Sequence, residues 1–254
     1  FDIGVATASR TLKLYRATYP ENIDYSVSQR TYVTASTFSP AFQHDVVKAL
    51  CLLAYGEVTH QIEGVKFGIQ NYAQLTAVLN VEAVRLITSA MVKKTIVAIQ
   101  YTSGESGDKN RRVCPHSIFE SGGAWYFRSY DVGLDEFRTF RFSRVKSAAP
   151  AKGNIDADWQ KRDDFEWSTE VVLTIGPHPE KKNQDAIRED LGLVDKPVIN
   201  ISSNAVMAGF ILTDLRVDCS SNGKMNSDEY YLRLLNRHEL IDVSGMYIAP
   251  GFRT

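Results

Sequence analysis

Residues 95–147 constrain the fold most strongly, because short runs of alternating apolar and polar residues follow one another there with brief polar interruptions. The segments TIVAIQYTS, RRVCPHSIFES, AWYFRSYD and FRTFRFSRVKSA each have the pattern of a β-strand, and ESGDKN between the first two has the composition of a hairpin loop. Four or five short antiparallel strands over about fifty residues predict a small, strongly bent sheet or an SH3-like β-barrel.

Before this sheet, the chain begins with a helical pattern. In residues 5–20 apolar side chains recur at helical spacing until Pro20, and residues 23–32 then predict two short strands that turn around Ser28 and Gln29. A helix followed by a small hairpin is the arrangement of a winged helix-turn-helix. The alternative is a surface helix with solvated charges.

The rest of the chain predicts further helices and a second mixed domain. Asn80 is a plausible N-cap for a helix that ends near residue 94. Residues 209–221 predict a strand, and residues 228–240 predict more helix. The predicted fold class is α+β multidomain, with a partial winged helix-turn-helix at 1–40, a helical linker at 41–94, the SH3-like barrel at 95–147, a connector at 148–165, and a C-terminal α+β domain at 166–254.

Charge is unevenly distributed, although the formal net charge is only −1. Between Lys93 and Lys146 the chain carries ten Lys or Arg residues against six Asp or Glu residues. Three basic residues stand against one acid in the first twenty positions. Basic charge concentrated in two segments points to phosphate-bearing partners.

Several classes of protein are disfavoured. No window contains 18 consecutive apolar residues, so we expect no membrane segment. Three cysteines without CxxC spacing fit a reducing compartment, and the cytoplasm is the expectation. The motifs GxGxxG, GxxxxGK[ST], GxSxG and HExxH are absent, and the five histidines lack metal-ligand spacing, so we expect no catalysis, cofactor or metal. Because the chain begins with FDIGVATASRTL, we also expect that its true start is missing.

The aromatic run Trp125-Tyr126-Phe127 is followed at once by Arg128. Alternation along a strand sends Trp125 and Phe127 to one face and Tyr126 and Arg128 to the other. The first face would pack in the core, and the second would present a hydroxyl and a guanidinium, whose planar fork suits phosphate. The plainer interpretation of such a run is core packing alone.

Residues 96–145 resemble the WYL domain, a bacterial ligand-sensing module named for a Trp-Tyr-Leu tripeptide. Trp125-Tyr126-Phe127 stands at that tripeptide, with Phe127 in the place of Leu. Residues 166–254 resemble the extension that commonly follows a WYL domain. The other matching pieces of the WYL domain are Tyr101-Thr102-Ser103, Arg112 before Cys114-Pro115-His116, Arg128 with Tyr130, and Phe140-Arg141-Phe142-Ser143-Arg144.

The resemblance implies two binding sites. In the WYL family one face of the sheet forms a pocket for a nucleotide or nucleic-acid fragment, and the residues carried over to it are Tyr101, Ser103, Arg112, His116, Tyr126, Arg128 and Arg144. The segment Ala6–Leu12 resembles the A-T-x-x-R-x-L recognition helix of bacterial winged-helix repressors. The implied DNA-binding residues are Thr7, Ser9, Arg10 and Lys13 in the helix and Gln29 and Arg30 in the wing.

The order of winged helix, WYL domain and extension is that of regulators of BREX and CBASS phage-defence operons. The resemblance therefore implies a homodimeric transcriptional repressor that binds an inverted-repeat DNA operator and senses a nucleotide or nucleic-acid effector. The alternative is a non-catalytic accessory protein that binds single-stranded nucleic acid and modulates a partner effector. The sequence favours the regulator, because a helix and a hairpin precede the WYL match.

Overall fold

The computed structural model describes residues 4–42, 46, 49–50, 78–153, 156–193 and 196–253. The chain forms two compact units, residues 1–60 and residues 61–254. Much of the predicted helical linker lies outside the described residues.

The first unit contains the predicted helix and hairpin. Helix α1 spans Val5–Thr18, and strands β1 (Ile23–Ser26) and β2 (Thr31–Thr34) form an antiparallel pair. The buried side chain of Asn22 holds the unit together, because its Nδ2 donates to Tyr15 Oη at 2.9 Å and to the backbone carbonyl of Ser39 at 2.7 Å. These bonds attach the end of α1 to the segment that follows the hairpin.

The second unit begins with helix α2 (Val81–Lys93). The predicted N-cap is confirmed, since Asn80 Oδ1 accepts a hydrogen bond from the backbone N–H of Ala83 at 3.0 Å. Asn80 also donates to the backbone carbonyl of Lys146 at 2.9 Å, which fixes the start of the helix to the sheet that follows. The buried face of α2 consists of Ala83, Val84, Ile87 and Ala90.

Five antiparallel strands follow. They are β3 (Val97–Ser103), β4 (Gly107–Ser121), β5 (Ala124–Asp131), β6 (Glu136–Arg141) and β7 (Val145–Pro150). Their hydrogen-bonded order is β6-β5-β4-β3-β7. Among the described residues β6 and β7 do not pair, so the sheet is open there and the predicted SH3-like barrel is not confirmed.

The central hairpin of this sheet explains the glycine pair that precedes the aromatic run. Gly122 and Gly123 join β4 to β5 as a two-residue turn, with φ angles of 56° and 72°. A tight hairpin with positive φ at both positions favours glycine, and this turn type keeps the strands in register. Phe127 is then completely buried, and its ring stacks 5.3 Å from that of Phe140.

The C-terminal part is a second α+β domain. It contains α3 (Phe165–Ser168), β8 (Glu170–Pro177), α4 (Gln184–Asp190), β9 (Ile199–Asn204), α5 (Ala208–Asp214), β10 (Val217–Asp218) and β11 (Leu232–Leu234). The strand order is β10-β11-β8-β9, and only β10 and β11 run parallel in this sheet. The core includes the fully buried Leu173, Ile175, Leu212 and Met246.

Two secondary-structure predictions in this domain are wrong. In the predicted strand at 209–221, residues 209–214 belong to helix α5, whose buried residues pack into the core, and only Val217–Asp218 form a strand, β10. The predicted helix at 228–240 contains strand β11 and a short 3-10 turn, Arg237–Leu240. In both places pairing and packing with distant segments override local pattern.

Candidate functional site

One row of side chains crosses the middle of the first sheet. The register aligns Phe119, Tyr126 and Arg141 across β4, β5 and β6. The rings of Phe119 and Tyr126 stack at 5.2 Å, and the guanidinium carbon of Arg141 lies 5.8 Å from the Tyr126 ring centroid. An aromatic surface and a cation therefore lie side by side on the face opposite the core.

The Nε atom of Arg141 is a buried hydrogen-bond donor. Its Nε is buried and has no hydrogen-bond partner among the residues that the structure describes. Its backbone N–H donates to Tyr101 Oη at 3.1 Å, so the buried Tyr101 side chain supports the end of β6. Leaving a buried donor unsatisfied costs on the order of 1–3 kcal/mol, more for a charged group. Arg141 is therefore a candidate anion-binding residue.

A second cation lies next to this row. Arg144 is exposed in the 3-10 turn Phe142–Arg144, directly after β6. Burial raises the pKa of the Tyr126 hydroxyl. The positive charges of Arg141 and Arg144 oppose this rise, and the negative charge of Asp214 adds to it. Both guanidinium groups thus lie within electrostatic reach of the Tyr126 hydroxyl. Two arginines beside a hydroxyl and an aromatic surface suit a phosphate attached to a flat base. We call Tyr126, Arg141 and Arg144 the arginine-tyrosine cluster.

Arg128 has a different environment on the same strand. It is 5% exposed, and its Nε and Nη2 donate to Asp164 at 2.7 and 3.0 Å. Nη2 also donates to Glu166 at 2.7 Å, and His116 Nε2 lies 3.2 Å from Asp164. Although burial alone raises the pKa of Asp164, its hydrogen bonds with His116 and Arg128 lower that pKa to about 2. Arg128 is thus occupied by an ionised internal partner.

Two cavities border this ion-pair network. One has a volume of about 280 Å³ and is lined by Arg128, Thr139 and Glu166, among others. The other has a volume of about 600 Å³, and its lining includes His116 and Lys161. Pockets for small ligands usually measure about 300–1,000 Å³, so the cavity beside Arg128 is small for a nucleotide and the cavity beside His116 is large enough.

The face that carries Tyr126 and Arg128 is covered. The Phe210 ring of α5 lies 5.1 Å from the rings of both Phe119 and Tyr126. The Trp167 ring of α3 lies 5.7 Å from that of His116. The alternation predicted from the sequence is present, but the polar face lies against the connector and the C-terminal domain instead of facing solvent.

The two other predicted ligand-binding residues lie apart from the arginine-tyrosine cluster. Ser103 ends β3, and its Oγ accepts hydrogen bonds from the backbone N–H groups of Glu105 and Ser106 at 3.3 and 3.4 Å. Arg112 is exposed on β4 and donates to the backbone carbonyl of Lys152 at 2.8 Å. Both side chains thus bond to local or connector backbone, and their ligand roles stay predictions.

Arg141 was not predicted as a site residue, although it belongs to the FRFSR motif at 140–144. The signal was available, because the hairpin that places Tyr126 on one face places Arg141 opposite it. Asp164 and Phe210 offered no such signal. Both residues contact the sheet through tertiary packing alone. Asp164, for example, lies 36 residues after its partner Arg128 in the sequence.

The first unit presents the predicted DNA-binding residues at its surface. Helix α1 has no buried residue, and each of Thr7, Ser9, Arg10 and Lys13 is exposed. Gln29 and Arg30 are exposed in the hairpin turn, where Arg30 has a φ of 51°. Helix and wing thus display six polar side chains, and their contacts with DNA stay predictions.

Two absences hold for the residues that the structure describes. In those residues no helix is long and apolar enough to span a membrane. No group of three or more His, Cys, Asp or Glu side chains in the same part of the chain could hold a metal ion.

Three domain families match the chain in succession. Residues 1–54 match the winged helix-turn-helix domain of the BrxR transcriptional regulator, residues 82–150 match the WYL domain, and residues 170–240 match the C-terminal dimerization domain of BrxR. This combination defines a transcriptional regulator with a DNA-binding and a dimerization domain. The chain thus combines a WYL domain with flanking domains of the BrxR type, which is the domain composition of a WYL-domain transcriptional regulator.

A curated relative matches along most of the chain. The chain is 23% identical over 250 residues to the DNA-binding transcriptional repressor CapW of Escherichia coli, and the match covers 94% of this chain and 82% of CapW. The similarity therefore runs through all three domains.

Two solved structures are more distant. The proteasome accessory factor B/C (PafBC) of Arthrobacter aurescens matches with a TM-score of 0.29 and 17% identity, covering 70% of this chain and 27% of that chain. A CRISPR Cas-related protein matches with a TM-score of 0.32 and 12% identity, covering 59% of this chain and 48% of that chain. This chain thus spans less than half of either protein, and at these TM-scores neither adds to the assignment.

Proposed function

We propose that this regulator is a homodimeric repressor of a phage-defence operon and that a nucleotide or nucleic-acid effector controls it. The observation that carries the proposal is the match to a DNA-binding repressor through winged helix, WYL domain and dimerization domain. The predicted domain boundaries, at 40, 94, 147 and 165, are kept as part of the proposal.

In this proposal DNA binding belongs to the first unit. Helix α1 would enter the major groove of one half-site, with Thr7, Ser9, Arg10 and Lys13 directed at bases and phosphates. Gln29 and Arg30 in the wing would contact the backbone. A two-fold symmetric dimer presents two such helices, so the operator would be an inverted repeat.

Effector binding would occur at the arginine-tyrosine cluster. Arg141 Nε, which has no partner in the described part of the chain, and the exposed Arg144 can donate to a phosphate, whereas Arg128 is held by Asp164 and Glu166. A ligand that used Arg128 would have to displace an ionised carboxylate. His116 and Arg128 remain predicted ligand-binding residues, but a phosphate would first contact Arg141 and Arg144.

The effector would act by preferring one geometry of the dimer. A ligand shifts a conformational equilibrium only through its different affinities for the two states. If the effector prefers the geometry that misfits the two half-sites, its binding releases the operator and relieves repression.

Fluorescence anisotropy tests the DNA-binding part of the proposal. The full-length protein is titrated into a labelled duplex from upstream of its own gene, and separately into a scrambled duplex, at about 150 mM salt. We expect the upstream duplex to bind at least about a hundredfold more tightly. Equal and steeply salt-dependent affinities for the two duplexes would instead favour the accessory single-strand binder.

A further inference from the structure

Helix α5 of the C-terminal domain lies directly on the arginine-tyrosine cluster. Phe210 touches Tyr126 and Phe119, and each pair of rings is 5.1 Å apart. One helical turn later Asp214 accepts a hydrogen bond from Ser121 Oγ at 3.0 Å, at the end of β4. Two side chains of the dimerization domain thus reach the sheet beside the predicted phosphate-binding arginines.

Asp214 is an unusual residue at this position. It is the last residue of α5, where the helix dipole disfavours a negative charge. Its carboxylate is also close enough to Tyr126 to influence that hydroxyl together with Arg141 and Arg144. The two arginines and Asp214 therefore all lie near the Tyr126 hydroxyl, where the Asp214 carboxylate is hydrogen-bonded to Ser121 and forms no ion pair with either arginine among the described residues.

Helix α5 is firmly attached to its own domain. A Cβ at Gly209 would lie 2.0 Å from the backbone oxygen of Gly245, so the helix and the 3-10 turn Ser244–Ile248 are in direct backbone contact. Thr213 Oγ1 donates to the carbonyl of Ile248 at 3.0 Å. Because α5 packs so closely against this turn, a movement of the helix would also move the turn.

We propose that the effector site is formed by two domains, with Phe210 and Asp214 of the C-terminal domain completing the arginine-tyrosine cluster, and that a phosphate-bearing ligand displaces Asp214 from it. This inference rests on the proposed effector site. The ligand phosphate brings a second negative charge next to Asp214. Repulsion between the two weakens the bond from Ser121 to Asp214 and loosens the end of α5, which links ligand binding to the dimer.

The test uses full-length protein and a 5′-fluorescein-labelled pentathymidylate as the probe. Its affinity is measured by anisotropy for the wild type and for Asp214→Asn, Arg144→Ala and the control Asp242→Asn, an exposed aspartate of the same domain. Asparagine can still accept the bond from Ser121 but carries no charge. We expect Asp214→Asn to bind about fivefold more tightly, since a like charge has been removed, and the control to match the wild type.

Amide hydrogen exchange of residues 208–214 supplies the second readout. We expect the probe to accelerate exchange at the end of α5 in the wild type and to change it little in Asp214→Asn. Suppose that Arg144→Ala loses probe binding, that Asp214→Asn binds the probe as the wild type does, and that the probe leaves exchange in α5 unchanged. This result would support the effector site but overturn the two-domain inference. A wild type that does not bind the probe would overturn both.

Discussion

Arg128 on β5 and Arg141 on β6 lie on the same face of one sheet, and Arg144 follows β6 directly. The two arginine sites, Arg128 and the pair Arg141 and Arg144, differ in what holds the charge. Arg128 is buried and has two carboxylate partners, Asp164 and Glu166. At the other site, Arg141 has a buried Nε without a partner among the described residues, and Arg144 is exposed. The family resemblance assigned Arg128 and Arg144 to one pocket, whereas the structure separates an anchored cation from an available one.

An arginine in a predicted binding motif can thus be held by carboxylates of the protein itself, as Arg128 is. A buried charge with a good partner is costly to disturb, because removing the partner leaves an uncompensated charge. An arginine whose donors lack partners gains most when an anion arrives.

The largest effect is expected for Asp164→Ala. This change leaves the buried Arg128 with only the partly exposed Glu166, so we expect the free energy of unfolding to fall by about 3–5 kcal/mol. Urea denaturation followed by circular dichroism measures the loss. Glu166→Ala is the matched control, and because that carboxylate is 40% exposed we expect about 1 kcal/mol or less. Equal losses in the two variants would mean that Asp164 is not the anchor.

A pH dependence follows from the same pair. The pKa of Asp164 is about 2 in the folded protein, below its ordinary value of 3.8. Stability from a depressed carboxyl pKa is fully present above the unfolded pKa and disappears as pH falls toward the folded pKa, so about 2 kcal/mol is lost between about pH 5 and pH 2. Urea unfolding of wild type and Asp164→Asn across this range should show their difference shrinking on acidification. A constant difference would refute the assignment.

Arg10 extends the comparison to an exposed arginine with a different predicted ligand. Because it lies on α1, which has no buried residue, Arg10→Ala should leave folding intact while weakening operator binding about tenfold. Anisotropy on operator and scrambled duplexes separates base contact from phosphate contact. Loss of affinity for both duplexes alike assigns Arg10 to the backbone, and no loss for either would remove α1 from the interface.

The smallest effect on stability is expected for Arg144→Ala. Its side chain is exposed, so we expect the free energy of unfolding to change by no more than about 0.5 kcal/mol. Thermal or urea unfolding beside the wild type checks this. A loss comparable to that of Asp164→Ala would show that Arg144 is structural, and the distinction between the two arginine sites would fail.

Much of the local structure was predictable from sequence. Helix α1, the hairpin after it, the N-cap at Asn80 and the central strands all follow from periodicity, turn residues and capping chemistry. Alternation also predicted that Tyr126 and Phe127 face opposite sides. These features depend on residues that are near in sequence, and such patterns are visible in one chain.

The rest depended on contacts between distant segments. The sequence of helix α5 predicts a strand, because Phe210, Ile211 and Leu212 are consecutive apolar residues. Packing against the C-terminal core makes the segment a helix. The partner of Arg128 likewise comes from the connector, whose sequence gives no sign of it. The residues that decide between an anchor and a binding site were therefore the ones that the sequence could not place.

Release of operator DNA by a ligand tests the proposed effector control most directly. A preformed complex of the full-length protein with labelled operator duplex is titrated with pentathymidylate, for wild type, Arg144→Ala and the control Arg138→Ala, an exposed arginine on β6. We expect all three proteins to bind operator equally, wild type and Arg138→Ala to release it, and Arg144→Ala to retain it. Equal release by Arg144→Ala, or loss of its operator binding despite normal folding, would contradict effector control through Arg144.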